Sequence, residues 1–164
     1  FSPKKFTNLD GPESSLNSSS GVNIPVVRLA DIYLLYAEAI APGDASTALE
    51  YVNKVHRRAY NYPADDPSPV DYASLTAATA AARNHPEDLL AGDPLKYERW
   101  AELFAEGQWW YDIRRWEILE NEMKVYKRTR YGSLVFQGER AYSQPIPQSE
   151  IEAYNGTLRQ NYNY

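Results

Sequence analysis

Residues 26–41, VVRLADIYLLYAEAIA, place apolar side chains around nearly the whole circumference of a helix: Val26, Leu29, Ile32, Tyr33, Leu34, Tyr36 and Ala37. A helix of that kind is expected to be buried. Stepped at about 100° per residue, its polar members Arg28, Asp31 and Glu38 gather on one side. A buried helix with a charged stripe obliges the rest of the chain to bring opposite charges to it.

Pro42-Gly43 ends this helix, and Asp44 is a good cap for the next. There Ala45, Ala48, Leu49, Val52, Val55, His56 and Ala59 follow the i, i+3, i+4, i+7 rule. Two antiparallel helices joined by a tight turn, with small residues at the contact, match one tetratricopeptide unit. Only one such pair is visible. A lone pair cannot bury its own faces, so further pairs are expected in chain outside this sequence.

The remainder divides by composition. Residues 1–23 are rich in Ser, Asn, Gly and Pro and read as a linker, with one domain over 24–164. YNYPADDPSPVDY at 60–72 is a loop studded with tyrosines, and the alanine-rich ASLTAATAAAR after it is compatible with a helix of little bulk. Asp93-Pro94 starts a helix, Asp as cap and Pro at the first position, which could run to about Lys127. RYGSLVFQG has short β-like pieces, QPIPQ is extended, and Ser149 with Glu152 spells a capping box for a last helix. The fold class is mainly α, a tetratricopeptide-like scaffold with long loops and little β.

The segment ERWAELFAEGQWWYDIRRW at 98–116 carries the densest chemistry. On a helix, Trp100, Leu103, Phe104, Gly107, Trp110 and Tyr111 form an apolar stripe, which assigns Trp110 to the core. Glu98, Glu102 and Glu106 rise along another side, where like charges repel by a few tenths of a kcal/mol per pair. Cations must answer them, and Arg28, Arg99, Arg114 and Arg115 are available. Gly107 costs about 1 kcal/mol against Ala inside a helix, so it marks a break or a close helix crossing. Two glutamates one turn apart have a spacing near that of a retaining glycosidase pair. Neighbours on one helix face point the same way, however, and cannot flank a bond. The favoured reading is a structural network of Arg28, Glu38, Glu98, Arg99, Glu102, Glu106, Asp112, Arg114 and Arg115, with aromatics packed beneath.

Other classes are disfavoured. A net charge of −5 argues against nucleic acid, and the run Lys124, Lys127, Arg128, Arg130 reads as a solvated helix end. No apolar stretch approaches the roughly 20 residues that span a bilayer. The chain has no cysteine, so thiolate metal sites are excluded. His56 and His85 lack ligand spacing and read as structural. No metal site, cofactor or catalytic motif is expected. The 14 tyrosines and 4 tryptophans can fill a core or stack on sugar rings.

Four segments in order, IPVVRLADIYLLYAEA at 24–39, ALEYVNKVHRRA at 48–59, ERWAELFAEGQWWYDIRRW at 98–116 and QPIPQSEI at 144–151, closely resemble the C-terminal half of the SusD/RagB family. The resemblance implies a non-catalytic glycan-binding lipoprotein on the extracellular face of the bacterial outer membrane. It also implies a SusC-like TonB-dependent transporter as partner. The family's membrane link is an N-terminal lipid anchor, which the resemblance places upstream of this chain. Family members usually carry Arg where this chain has Trp109, so one cation of the expected network is missing. Because the shared motifs describe the scaffold, sugar contacts are expected in loops, with Tyr60, Tyr62, Asp65, Asp66 and Trp109 as candidates. Ordinary loop packing is the bland reading of the same tyrosines. Two other functions stand beside the glycan reading: a protein-interaction scaffold docking on the transporter without touching sugar, and a helical glycoside hydrolase using Glu102 or Glu106.

Overall fold

A computed structural model describes residues 25–81, 83, 85–126 and 136–161. The expected linker at 1–23, all of the β-like RYGSLVF except Phe136, and the basic residues after Lys124 lie outside the described residues. The described chain is helical and has no strand: α1 Leu29–Ile40, α2 Ala45–Ala59, α3 Pro94–Glu102, α4 Trp109–Arg115, α5 Leu119–Val125, a 3-10 turn at Gly138–Tyr142, and α6 Gln148–Ala153.

α1 and α2 form the expected hairpin. Asp44 caps α2, accepting from the Thr47 backbone N–H at 3.0 Å and the Thr47 hydroxyl at 2.6 Å. The helices run antiparallel, since Leu29, Ala30 and Tyr33 early in α1 lie beside Lys54, Val55 and Arg58 late in α2. Ala30, Leu34 and Ala37 meet Ala48, Val52 and Val55, and Tyr72 and Leu95 complete the core cluster. Small alanines let the helix axes approach closely. Tyr33 and Tyr36 both set their rings edge-on to Tyr51, at 5.2 and 4.8 Å.

α1 is not buried all round. Leu29, Ile32, Leu35 and Tyr36 remain exposed, Leu29 to 63%. The hairpin partner α2 and the crossing α3 cover one flank only, and a helix apolar on both sides needs a layer on each.

α3 starts as read from the sequence: Asp93 accepts from the Lys96 backbone N–H at 3.0 Å, and Pro94 occupies the first turn. It does not run on to Lys127. The chain leaves the helix after Glu102, with Ala105 at φ 64° and Gly107 at φ 81°, both left-handed conformations that L-residues avoid. A Cβ at Gly107 would meet no atom within 4 Å. Its φ therefore requires glycine; no close crossing does. The break turns α4 onto a new axis. Trp110, expected in the core, is 47% exposed, and Phe104 and Tyr111 are exposed beside it, because the stripe exists only on a straight helix.

Two further expectations fail for local reasons. The alanine-rich stretch is not helical. It offers little bulk beyond Leu75, which packs against the core, and its Ser and Thr hydroxyls bond locally instead: Ser74 with Thr76, and Thr79 Oγ1 accepting from the Ala81 N–H at 3.3 Å. At the C-terminal end α6 begins at Gln148 after Pro147, with no side-chain cap, so Ser149 lies too late in the sequence to cap it.

Candidate functional site

The charged stripe of α1 meets its partners from 98–116. Asp31 is buried and accepts from Arg99 Nη1 at 2.9 Å, while Arg99 Nε donates to Asp112 Oδ2 at 2.8 Å. Arg99 and Asp112 are each almost wholly buried. Asp112 also accepts from Arg115 Nε at 2.9 Å, and Arg115 holds Glu38 through both of its terminal nitrogens. Trp116 Nε1 donates to Glu38 at 2.7 Å. Burial opposes ionisation of Glu38, but the hydrogen bonds from Arg115 and Trp116 outweigh it and keep its carboxyl below the ordinary value.

The three stacked glutamates are all engaged. Arg28 donates to Glu106 at 2.7 and 2.8 Å and pairs with Glu102, which Arg58 also reaches. Glu98 sits deeper, its Oε1 2.7 Å from His56 Nδ1 and accepting from the Tyr72 hydroxyl at 2.9 Å. Burial, and then the Glu98 carboxylate, push the Tyr72 phenol up. Every carboxylate of the segment 98–112 thus faces a cation, a histidine or a hydroxyl, and the side chains of Glu102 and Glu106 are 9% and 7% exposed. Arg114 is the exception among the expected cations. It is exposed, and no ion pair joins it to the network among the described residues.

The tyrosine loop leaves α2 at Tyr60 and is tied down by Arg57. That guanidinium, 2% exposed, donates to Asp71, to Glu50 and to the Ala64 carbonyl at 2.5–3.0 Å. The Arg57 contact chiefly holds the Asp71 carboxyl down at about 2. Asn53 adds a paired contact, donating to the Tyr72 carbonyl at 3.1 Å and accepting from its N–H at 2.9 Å. Further along, Arg83 pins the next segment by pairing with Asp88 and donating to Glu122 on α5 at 2.6 Å.

This anchoring shapes a pocket of about 330 Å³ between the end of α2 and residues 70–80, lined among others by His56, Tyr60, Asp71 and Tyr72. Of the five candidate glycan residues only Tyr60 lines it. Asp65 pairs with Lys54 at the rim of a separate pocket of about 180 Å³, and Tyr62 and Asp66 are exposed on the loop. Trp109 stands apart from the loop. Half-buried, it packs edge-on to Trp116 at 6.0 Å, and its buried Nε1 has no hydrogen-bond partner among the described residues. It belongs with the scaffold aromatics.

Sequence reasoning missed Asp71, Tyr72, Arg57 and Arg83. A signal was present for Arg57 alone. Asn53, His56 and Arg57 fall on the inward face of α2, and polar groups there demand partners. The sequence-distant positions of those partners carry no periodic mark.

The family model that matches the chain is that of the SusD family, over residues 1–164. No curated protein and no solved structure matches the chain.

Proposed function

The chain belongs to the SusD family, generally non-catalytic proteins of carbohydrate binding and nutrient uptake, and we propose that it recognises a glycan without cleaving it. In this reading the segment 98–116 is a brace. Its glutamates hold α1, α2 and α3 together, and ligand contact is left to the loop that α2 and Arg57 position. The observation that supports this best is the commitment of Glu98, Glu102 and Glu106 to Arg28, Arg58, His56 and Tyr72. A glycosidase needs one carboxyl free to protonate and another free to attack or to activate water. Here each is already engaged, Glu102 and Glu106 by arginine and Glu98 by His56 and Tyr72.

The full-length protein then works at the extracellular face of the outer membrane, held by an N-terminal lipid anchor and capping a SusC-like TonB-dependent transporter that imports the captured oligosaccharide. Among the described residues no helix is long and apolar enough to cross a membrane. A second reading draws on the exposed flank of α1: the helical pair docks on the transporter, and this part of the protein never touches sugar. Titration calorimetry of the full-length protein against neutral oligosaccharides, with the parent beside Tyr60→Ala, separates the two, since only the first reading expects a loop substitution in this chain to weaken binding. A reducing-sugar assay tests the hydrolase alternative. Release of sugar ends that is lost in Glu102→Gln would overturn the non-catalytic reading.

A further inference from the structure

The pocket beside Tyr60 has a lining that selects for a particular chemistry. Among the described residues no Lys or Arg lines it. Its one carboxylate, Asp71, is held by Arg57 and by the Ser68 hydroxyl at 2.7 Å, and the inner nitrogen of His56 is held by Glu98. No uncompensated charge therefore faces an occupant. One wall is aromatic: Tyr60, 49% exposed, lies against the His56 ring at 4.8 Å, and that ring lies against Tyr72 at 4.2 Å. The opposite wall is a strap bearing Ala73, Ala77, Ala78 and Ala80, whose methyl groups leave its backbone reachable. Along it the N–H groups of Ala77 and Thr79 are paired with the carbonyls of Ser74 and Ala91. Those of Ala73, Ala78 and Ala80, all exposed residues, have no acceptor among the described residues, which leaves them open to water or to a ligand oxygen that replaces it.

We propose that this pocket is a subsite for one uncharged pyranose unit, its C–H face on Tyr60 and its hydroxyl oxygens accepting from the strap. The proposal rests on the glycan reading and narrows it to a place and a charge class. A volume of about 330 Å³ lies at the small end of the ~300–1,000 Å³ typical of ligand sites, so the pocket takes a single ring and leaves the rest of an oligosaccharide outside. A uronate would find no cation in the lining. A purely apolar ligand would displace water from the strap donors without offering them an acceptor.

The test is titration calorimetry of the full-length protein with maltohexaose, cellohexaose, xylohexaose, mannohexaose and, as the acidic probe, hexagalacturonate. At least one neutral probe is expected to bind and the acidic one is not. Tyr60→Ala should weaken the bound neutral probe by about tenfold, the equivalent of ~1.4 kcal/mol, and Tyr60→Phe should restore it because the ring face is kept. Ala78→Trp, which crowds the pocket from the strap, should weaken it similarly, with the melting transition unchanged. Tyr111→Ala, on the exposed side of α4, should leave binding as it is. Retained affinity in both Tyr60→Ala and Ala78→Trp would overturn the subsite while leaving glycan binding intact. Binding of the acidic probe alone would overturn the charge argument. Failure of every probe would overturn the glycan reading and the subsite with it.

Discussion

The helical junction and the loop at 60–92 both rely on buried arginine, but they are wired differently. At the junction the charges are shared: Asp112 takes both Arg99 and Arg115, Glu102 takes both Arg28 and Arg58, and Arg28 spans two glutamates. In the loop each anchor is one guanidinium collecting several acceptors, Arg57 for the first half and Arg83 for the second. A shared network holds register between helices that already have their own hydrogen bonds. A single anchor substitutes for secondary structure that the loop does not have. The junction should therefore fail globally when its most buried member is lost, and the loop should fail locally.

The strongest way to break this contrast is Arg99→Ala, which strands Asp31 and Asp112 as buried charges without their common cation. It should destabilise the chain by roughly 3–5 kcal/mol in urea unfolding, and a loss below about 1 kcal/mol would show that the junction is not held by this ion pair. Arg57→Ala comes next, at about 2–3 kcal/mol for lost charge-assisted hydrogen bonds. Amide exchange of Tyr72, whose N–H bonds Asn53, should accelerate beyond that of α1 and α3. Uniform acceleration would mean that the loop is not an independent unit. Glu102→Ala is smaller, about 1–2 kcal/mol, because Arg28 and Arg58 both reach solvent once released. Smallest is Arg114→Ala, within about 0.5 kcal/mol, since that side chain lies outside the network.

Acid sharpens the same distinction. The Asp71 carboxyl lies at about 2 when folded against an ordinary 3.8, with the Arg57 contact as the main cause. A carboxyl depressed by folding stabilises fully above its unfolded value and loses that contribution as pH falls through the folded one. The stability of Asp71→Asn should therefore fall less steeply than that of the parent between about pH 4 and pH 2, with the two curves parallel above that window. Equal slopes in the window would remove Asp71 from the account.

Legibility in the sequence tracks periodicity. The α1–α2 hairpin, both Asp caps, and the need for cations opposite Asp31 and Glu38 are all readable, because helix faces repeat every few residues. Gly107 announces a break for the same reason. Arg114 and Arg115 cannot be told apart, since the turn of α4 that brings one to Glu38 and Asp112 and leaves the other without an ion pair depends on the left-handed residues before it. Trp110 is misplaced through that same turn. The loop is the other failure. Its conformation is fixed by side chains of α2 and α5 reaching across the fold, so nothing local marks Asp71 or Tyr72 as a wall of a pocket, and Tyr60 stands out only as a tyrosine in a loop.

The left-handed step at Ala105 and Gly107 has a consequence for how the sequence can change in length. Arg99 and Asp112 are thirteen positions apart, a separation of about 20 Å along an unbroken helix, and they touch only because the chain doubles back between them. Connections between helices ordinarily tolerate insertions and deletions. Between Leu103 and Gln108 even one residue gained or lost would rotate Asp112 away from its guanidinium, so this short bend should be as fixed in length as a helix core.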